Sequence, residues 1–260
     1  MGSLNYHRPK TIIETLVLME KGVPLAGGTA LTPQRYDVDA VIDLQDLKLD
    51  ELKVGKSEIH IGATVKLQTL IKTQEDLPQA LAQACRQEAA LNIRNAATIG
   101  GAVMTGDGRS PLLTALLALD ASVITEPGNN TEPLQKLLEN RKGVRKPRLI
   151  VALEMVRPNR MIYEQVSRSP ADRPIVCLAV TEHLTSKGES HVIAALGGYG
   201  ERPLRLSKLE EALEEGASLA EAAALAQRAY IDAGDAFASA AYRAEIAGIL
   251  ARRLLAEVKA

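Results

Sequence analysis

Helical spacing of apolar residues marks both ends of the chain. In the stretch TIIETLVLMEK, residues 11–21, apolar residues recur at helical intervals, and Gly22 ends the run. Two long Ala-rich stretches near 218–231 and 239–258 predict the helices that close the chain. Further helices are predicted over VKLQTLIKT (65–73), LPQALAQACRQEAAL (77–91) and PLQKLLEN (133–140), and after Ser110, where Pro111 takes the first helical position.

Alternating or continuous apolar runs predict strands between these helices. The segment LKVGKSEIHIGA, from Leu52, alternates on both sides of a Gly-Lys-Ser turn and is typical of a hairpin. Single strands are predicted over DAVIDL (39–44), ASVIT (121–125) and PRLIVALEM (147–155). After Asn159 the pattern changes to three strands, RMIYEQV, PIVCLAVTEHL and SHVIAALGG. The sequence therefore predicts an α+β protein of three lobes, with boundaries 1–51, 52–156 and 157–260.

Composition and charge exclude several classes of partner. Hydrophobic residues make up 46% and charged residues 24% of the 260 residues, which is ordinary for a soluble globular protein. The formal net charge is -1, and the chain has no Trp and one Phe, so nucleic-acid binding is not expected. The N-terminal residues hold no apolar core segment, and no stretch approaches the length of a membrane span. We therefore expect a cytoplasmic protein.

The cysteines and histidines do not predict a metal site. Cys85 and Cys177 are the only cysteines, too few for an iron–sulfur cluster or a four-cysteine zinc site. The four histidines include no pair with H-x-x-x-H spacing. Cys85 falls on the apolar face of a predicted helix and Cys177 within an apolar strand, so both are predicted to be core residues.

Two segments carry adjacent glycines next to a hydroxyl residue. They are PLAGGTALT, residues 24–32, and IRNAATIGGAV, residues 93–103. A glycine turn lets successive backbone N–H groups approach an anion closely, because no Cβ holds the backbone away. Two such turns facing each other would clamp a diphosphate. Each pair alone is usually only a turn, and neither fits the G-x-G-x-x-G or P-loop pattern.

Together these segments resemble the two pyrophosphate loops of a known family. It is the FAD-binding, or medium, subunit of the molybdenum hydroxylases, which include carbon monoxide dehydrogenase and the xanthine dehydrogenase-like enzymes. The resemblance extends along nearly the whole chain in the family's order. It covers VIDLQDL, HIGATVKLQTL, LLTALLALDASV, YEQVSRSPADRP, ALGGYGERPLR and ASAAYRAEIAGILARRLL.

The resemblance implies a vanillyl-alcohol-oxidase-type fold. FAD would lie extended between the N-terminal and middle lobes, and the C-terminal lobe, a three-stranded antiparallel sheet with helices, would flank the isoalloxazine. The implied function is electron transfer from an iron–sulfur small subunit to an external acceptor. Substrate would be oxidised in a large subunit that holds the molybdenum cofactor, within a dimer of heterotrimers. No catalytic residue is expected in this chain.

The resemblance also implies which residues contact FAD. Residues 26–29 would contact the diphosphate from one side, and residues 98, 100 and 101 from the other. The predicted FAD-contacting set comprises Leu25, Ala26, Gly27, Gly28, Thr29, Ala30, Arg94, Thr98, Ile99, Gly100, Gly101, Ala102, Asp107, Tyr163 and Arg168.

Two arginines of this set have a second interpretation. A cation at Arg168 would stabilise the anionic reduced flavin, or Arg168 would be a surface residue paired with Asp172. Arg94 would either face FAD or cap the carbonyl groups of the preceding helix.

The sequence departs from the family pattern at three positions. Ala30 and Ala102 stand where the family has Asp and Asn, and Pro111 stands where it has another Asp. Asp107 lies four residues before Pro111 and is a candidate substitute. These departures leave two hypotheses open: an electron-transfer flavoprotein subunit, and a subunit of the same kind of complex that has lost FAD and serves as a scaffold.

Overall fold

The computed structural model describes residues 4–32, 38–141, 147–185 and 188–258. The chain divides into two compact units, each assembled from three stretches. Unit 1 comprises Met1–Lys72, Leu91–Thr105 and Ala121–Met155, and unit 2 comprises Thr73–Ala90, Gly106–Asp120 and Val156–Ala260. The division into three lobes stays a prediction.

The first sheet of unit 1 is parallel. Its strands are β1 (Asn5–His7), β2 (Val23–Leu25) and β3 (Ala40–Asp43), in the order β1-β3-β2. Helix α1 (Ile12–Leu18) connects β1 to β2, as the apolar spacing of 11–21 predicted. All of β3 is buried, so β2 and the segment that follows it start from a fixed central strand.

The second sheet of unit 1 has five strands in the order β4-β5-β8-β6-β7. Its first two strands form the predicted hairpin, with Lys53 opposite His60. The strands are β4 (Leu52–Val54), β5 (Glu58–Gly62), β6 (Ser122–Glu126), β7 (Asn130–Pro133) and β8 (Leu149–Val156). The helices of this unit are a 3₁₀ turn (Gln45–Leu47), α2 (Leu67–Lys72), α4 (Leu91–Arg94), α5 (Ile99–Thr105) and α7 (Leu134–Asn140).

Unit 2 is built on a four-stranded antiparallel sheet in the order β12-β11-β10-β9. Three of the strands are those predicted, β9 (Arg160–Val166), β10 (Val176–Leu184) and β11 (Ser190–Gly197). The fourth, β12 (Leu204–Arg205), corrects the predicted three-stranded sheet. Two residues are too short a run to show an alternating pattern. The helices are α3 (Gln79–Glu88), α6 (Pro111–Ala118), α8 (Ser207–Glu214), α9 (Leu219–Ala229) and α10 (Ala240–Val258).

Strand β10 is buried on both faces, because helices pack on each side of the sheet. Val176, Leu178 and Val180 belong to the apolar core that includes α9 and α10. The alternate residues face α6: the Thr181 hydroxyl donates to the Ala118 carbonyl, and the Cys177 sulfur lies 3.5 Å from the Thr114 hydroxyl. This explains the nearly continuous apolar run in the sequence of the strand.

Helix α6 begins where the sequence predicted. Ser110 is its N-cap and accepts a hydrogen bond from the Leu113 N–H, and Pro111 follows at the first position. The Glu88 carboxylate adds to this cap by accepting hydrogen bonds from the Ser110 hydroxyl and the Leu112 N–H, at 2.7 and 2.9 Å. Burial raises the pKa of Glu88.

Candidate functional site

The first glycine segment forms a tight loop directly after β2. Gly28 has φ of +70°, in the left-handed region that favours glycine. The N–H and the hydroxyl of Thr32 both donate to the Gly28 carbonyl, at 2.9 and 2.7 Å. The carbonyl of Leu25 accepts the N–H of Leu44, which ties the start of the loop to the chain after β3. The predicted turn is therefore confirmed and is held at both ends.

Gly27 brings the two glycine-bearing segments together. A Cβ on Gly27 would lie 2.0 Å from the Ala96 carbonyl oxygen and 3.1 Å from the Ala97 Cα. Real Cβ atoms do not approach a backbone oxygen so closely, so only glycine permits this contact. The loop after β2 and the segment before α5 thus pack backbone against backbone, as the comparison of the two motifs suggested.

The second glycine segment is a helix start and not a turn, which corrects the sequence-based expectation. Gly100 and Gly101 lie in the first turn of α5, and neither has a positive φ. A Cβ on Gly100 would lie 2.9 Å from the Ala63 carbonyl oxygen. The glycine at this position therefore allows α5 to pack closely against the chain that follows β5.

The backbone N–H groups at the start of α5 already have acceptors within unit 1. Those of Ile99 and Gly100 donate to carbonyls of the segment after β5, and the next two donate to Thr98. The pairs are Ile99 to the Val65 carbonyl (3.0 Å), Gly100 to the Ala63 carbonyl (2.9 Å), Gly101 to the Thr98 hydroxyl (3.3 Å) and Ala102 to the Thr98 carbonyl (2.9 Å). This segment therefore does not offer the run of free amides that a second anion-binding turn would supply.

The first loop differs in this respect. No described residue accepts a hydrogen bond from the backbone N–H groups of Gly27, Gly28 and Thr29. Successive unpaired amides in a turn with a left-handed residue form a concavity that binds anions. The loop after β2 thus has the donor set that a phosphate group requires.

A pocket of about 570 Å³ lies beside these segments, and all its lining residues belong to unit 1. Three of them, Ala26, Gly27 and Thr98, are in the predicted set. Sequence reasoning missed the others, which are polar for the most part, although all but one of them lie within stretches that carry the family resemblance. They are Gln45, Asp50, Thr64, Val65, Lys66, Thr69, Asn95 and Ala96.

Four more predicted residues of unit 1 lie near the lining residues in the sequence but do not line the pocket. Leu25 ends β2, Ala30 lies in the loop after it, and Ala102 lies within α5. Arg94 ends the short helix α4, and its Nε donates to the Gln68 side chain at 3.2 Å.

The predicted residues of unit 2 make contacts of their own. Asp107 forms an ion pair with Arg173 and accepts the Arg109 N–H. Burial opposes ionisation of Asp107, but these partners outweigh it and lower its pKa. Arg168 donates to the Phe237 carbonyl at 2.9 Å. The alternative pairing of Arg168 with Asp172 is not present among the described residues.

Tyr163 is a core residue of unit 2. It is 3% exposed, and its hydroxyl donates to the Gln165 side chain at 2.8 Å. Burial raises the pKa of Tyr163 and raises that of the neighbouring Cys177 thiol to about 11. Cys177 and Cys85 are both fully buried and neither forms a disulfide, which confirms the prediction that they are core residues.

The described ranges hold neither a metal-binding cluster nor a membrane-spanning helix. They contain no group of three or more His, Cys, Asp or Glu side chains placed to hold a metal ion. Every helix in them is too short or too polar to span a bilayer.

Comparisons with known proteins define the family. Residues 2–155 match the model of the FAD binding domain in molybdopterin dehydrogenase, and residues 161–258 match the CO dehydrogenase flavoprotein C-terminal domain. The chain belongs to the FAD-binding medium subunits of the molybdenum hydroxylase family, as the resemblance indicated. It is an oxidoreductase subunit, and its cofactor is FAD.

Individual relatives match over nearly the whole chain. The protein YgfM of Escherichia coli is 32% identical over 97% of this chain and 95% of its own length. The carbon monoxide dehydrogenase medium chain of Afipia carboxidovorans is 27% identical and covers 100% of this chain and 98% of its own. A crystal structure of carbon monoxide dehydrogenase from Hydrogenophaga pseudoflava superposes with a TM-score of 0.79 at 26% identity, over 96% of this chain and 95% of that one.

Proposed function

We propose that this chain is the electron-transfer component of a multi-subunit molybdenum hydroxylase. Its FAD receives electrons from an iron–sulfur small subunit and passes them to an external acceptor. A large subunit with the molybdenum cofactor oxidises the substrate, and two such heterotrimers associate in the cytoplasm. The family and the relative named as a medium chain support this proposal.

One observation supports the binding of the FAD diphosphate at the loop after β2. The three unpaired amides of Gly27, Gly28 and Thr29 lie in the loop that contributes Gly27 to the pocket wall. Each of these N–H groups that points at a phosphate oxygen would make a charge-assisted hydrogen bond. The residues present therefore fit the diphosphate of FAD.

This fit indicates the role of each of these residues in binding FAD. The loop amides hold the diphosphate, and the Gly27–Ala96 contact holds the loop against the opposite wall. The Thr98 side chain, which also lines the pocket, supplies a polar group from that wall. Bound FAD would itself supply the redox chemistry. The contacts of Asp107, Tyr163 and Arg168 with the flavin stay predictions from the family resemblance.

The visible spectrum of the purified chain tests this function directly. We expect flavin absorption, and chromatography after denaturation should identify the released flavin as FAD and not FMN. Native mass spectrometry of the endogenous complex should then find an iron–sulfur chain and a large molybdenum chain with it. A chain that carries no flavin, even after reconstitution with FAD, would support the scaffold hypothesis instead.

A further inference from the structure

The position of Lys66 is fixed directly opposite Thr98. The two residues form an isolated antiparallel bridge. On either side of it, the Leu67 N–H donates to the Ala97 carbonyl and the Ile99 N–H donates to the Val65 carbonyl, both at 3.0 Å. A pair flanked in this way by two hydrogen bonds has its Cβ atoms on the same side, about 4.5–5.5 Å apart. The Lys66 and Thr98 side chains are therefore neighbours, and both line the pocket.

Lys66 brings a positive charge to this wall. It is the only lysine or arginine among the described lining residues, and the only carboxylate among them is Asp50. Its side chain is exposed, and no described carboxylate forms an ion pair with it. An ammonium group on a flexible stem can reach a ligand from such a position without disturbing the core.

Among the described lining residues, the wall that Lys66 occupies offers no other cation. The N–H groups of residues 99–102 are all bound to protein acceptors, so the amides of the second glycine pair are not available to an anion. The N–H groups of Lys66 and Thr98 have no acceptor among the described residues and are the backbone donors that remain on this side of the pocket. The loop that contributes Gly27 to the pocket contains the amides of residues 27–29, which have no acceptor among the described residues. A diphosphate held by the loop would carry uncompensated charge toward the α5 side, where Lys66 is the available cation.

We propose that Lys66 is the residue that binds the FAD diphosphate from the α5 side, in place of the backbone donors expected from the second glycine pair. This inference rests on the proposed FAD-binding function and names the side chain whose positive charge meets the diphosphate. The ammonium group forms charge-assisted contacts with the phosphate oxygens, and Thr98 beside it adds a hydroxyl.

The test is the affinity of the full-length apo-chain for FAD, measured by flavin fluorescence at low and high salt. Lys66→Met should raise the Kd by about tenfold or more, the loss expected for one or two charge-assisted contacts. It should also flatten the dependence on salt, because the screened interaction is gone. Lys66→Arg keeps the charge and should bind FAD within a few-fold of wild type. Lys72→Met removes the same charge from the exposed end of α2, outside the pocket, and should leave the Kd unchanged.

Three outcomes would overturn the inference while leaving FAD binding itself in place. They are Lys66→Met with the wild-type Kd, Lys66→Met with a raised Kd but the wild-type salt dependence, and Lys66→Arg as weak as Lys66→Met. A wild-type chain that fails to bind FAD at all would overturn the proposed function and this inference together. Thermal melting of each variant checks that the fold is kept, which we expect because Lys66 is exposed.

Discussion

Gly27→Ala is the substitution that most directly tests the geometry of the pocket. The new Cβ would lie 2.0 Å from the Ala96 carbonyl oxygen and 2.7 Å from its carbon. An ordinary van der Waals contact begins at about 3.4 Å, so the two backbones must separate by more than 1 Å. Neither atom is the end of a flexible side chain, so no rotamer change relieves the collision.

The separation of the two backbones would move residues of the proposed FAD site. Gly27 and Ala96 both line the pocket, and the free amides of Gly28 and Thr29 follow Gly27 in the loop. Hydrogen bonds to a charged acceptor contribute about 1.5–3 kcal/mol each and weaken steeply with distance. Losing one or two of them should raise the Kd for FAD by at least about tenfold.

Two matched variants separate this effect from a general loss of stability. Gly22→Ala crowds Ala40 at 3.1 Å outside the pocket, and should lower the melting temperature without a specific loss of flavin. Gly28→Ala meets nothing closer than 3.3 Å but forces alanine into a left-handed conformation, at a cost of about 1–2 kcal/mol. It should therefore weaken FAD binding less than Gly27→Ala.

The measurements are fluorescence titration with FAD and thermal melting of each apo-variant. If Gly27→Ala binds FAD with the wild-type Kd, or loses affinity only in proportion to a lower melting temperature as Gly22→Ala does, the contact between the two segments does not shape the site. The reasoning from close approach would then be refuted.

Three further predictions concern unit 2. Glu88 has a raised pKa, so the folded chain keeps a proton that the unfolded chain loses, and stability should fall as pH rises from about 4.5 through the folded pKa. In melting curves measured across this pH range, Glu88→Gln should remove that fall. Arg243 is 0% exposed, donates to two backbone carbonyls and pairs with Asp235. Arg243→Met should therefore lower the free energy of unfolding by about 3–5 kcal/mol in denaturant titrations, and a loss below 1 kcal/mol would contradict this. Cys177 has a pKa raised to about 11 and is fully buried, so a thiol reagent at pH 8 should label it only after unfolding, and rapid labelling of the native chain would be the contrary result.

Much of the fold could be predicted because its signals are local. The cap and first residue of α6, Ser110 and Pro111, act through hydrogen bonding and a fixed φ that the sequence itself specifies. The β4–β5 hairpin and the last helix likewise follow from periodicity. Strand β12 could not be predicted, since a two-residue strand exists only through its pairing with β11.

The candidate site could be predicted only in part, for a physical reason. The identical pairs Gly27-Gly28 and Gly100-Gly101 do different things: one forms a loop with a left-handed residue, and the other lets a helix pack closely. A glycine pair in a sequence indicates that a side chain is not tolerated at these positions. It does not indicate whether the reason is a positive φ or a neighbouring backbone. Lys66 lies in a stretch that resembles the family, but nothing in that stretch marks it as a ligand, and only its pairing with Thr98 brings it to the pocket.

The interleaving of the two units has a consequence for how the chain is made. Helix α6, all of whose residues are buried, is synthesised well before strands β10 and β11, which it contacts within unit 2. During synthesis on the ribosome, the apolar surface of α6 stays exposed until the C-terminal third of the chain has emerged. Exposed apolar surface of this kind favours aggregation. The boundary near residue 155 that separates the two family models thus divides unit 2. A gene cut there would leave α6 on one product and its sheet on the other.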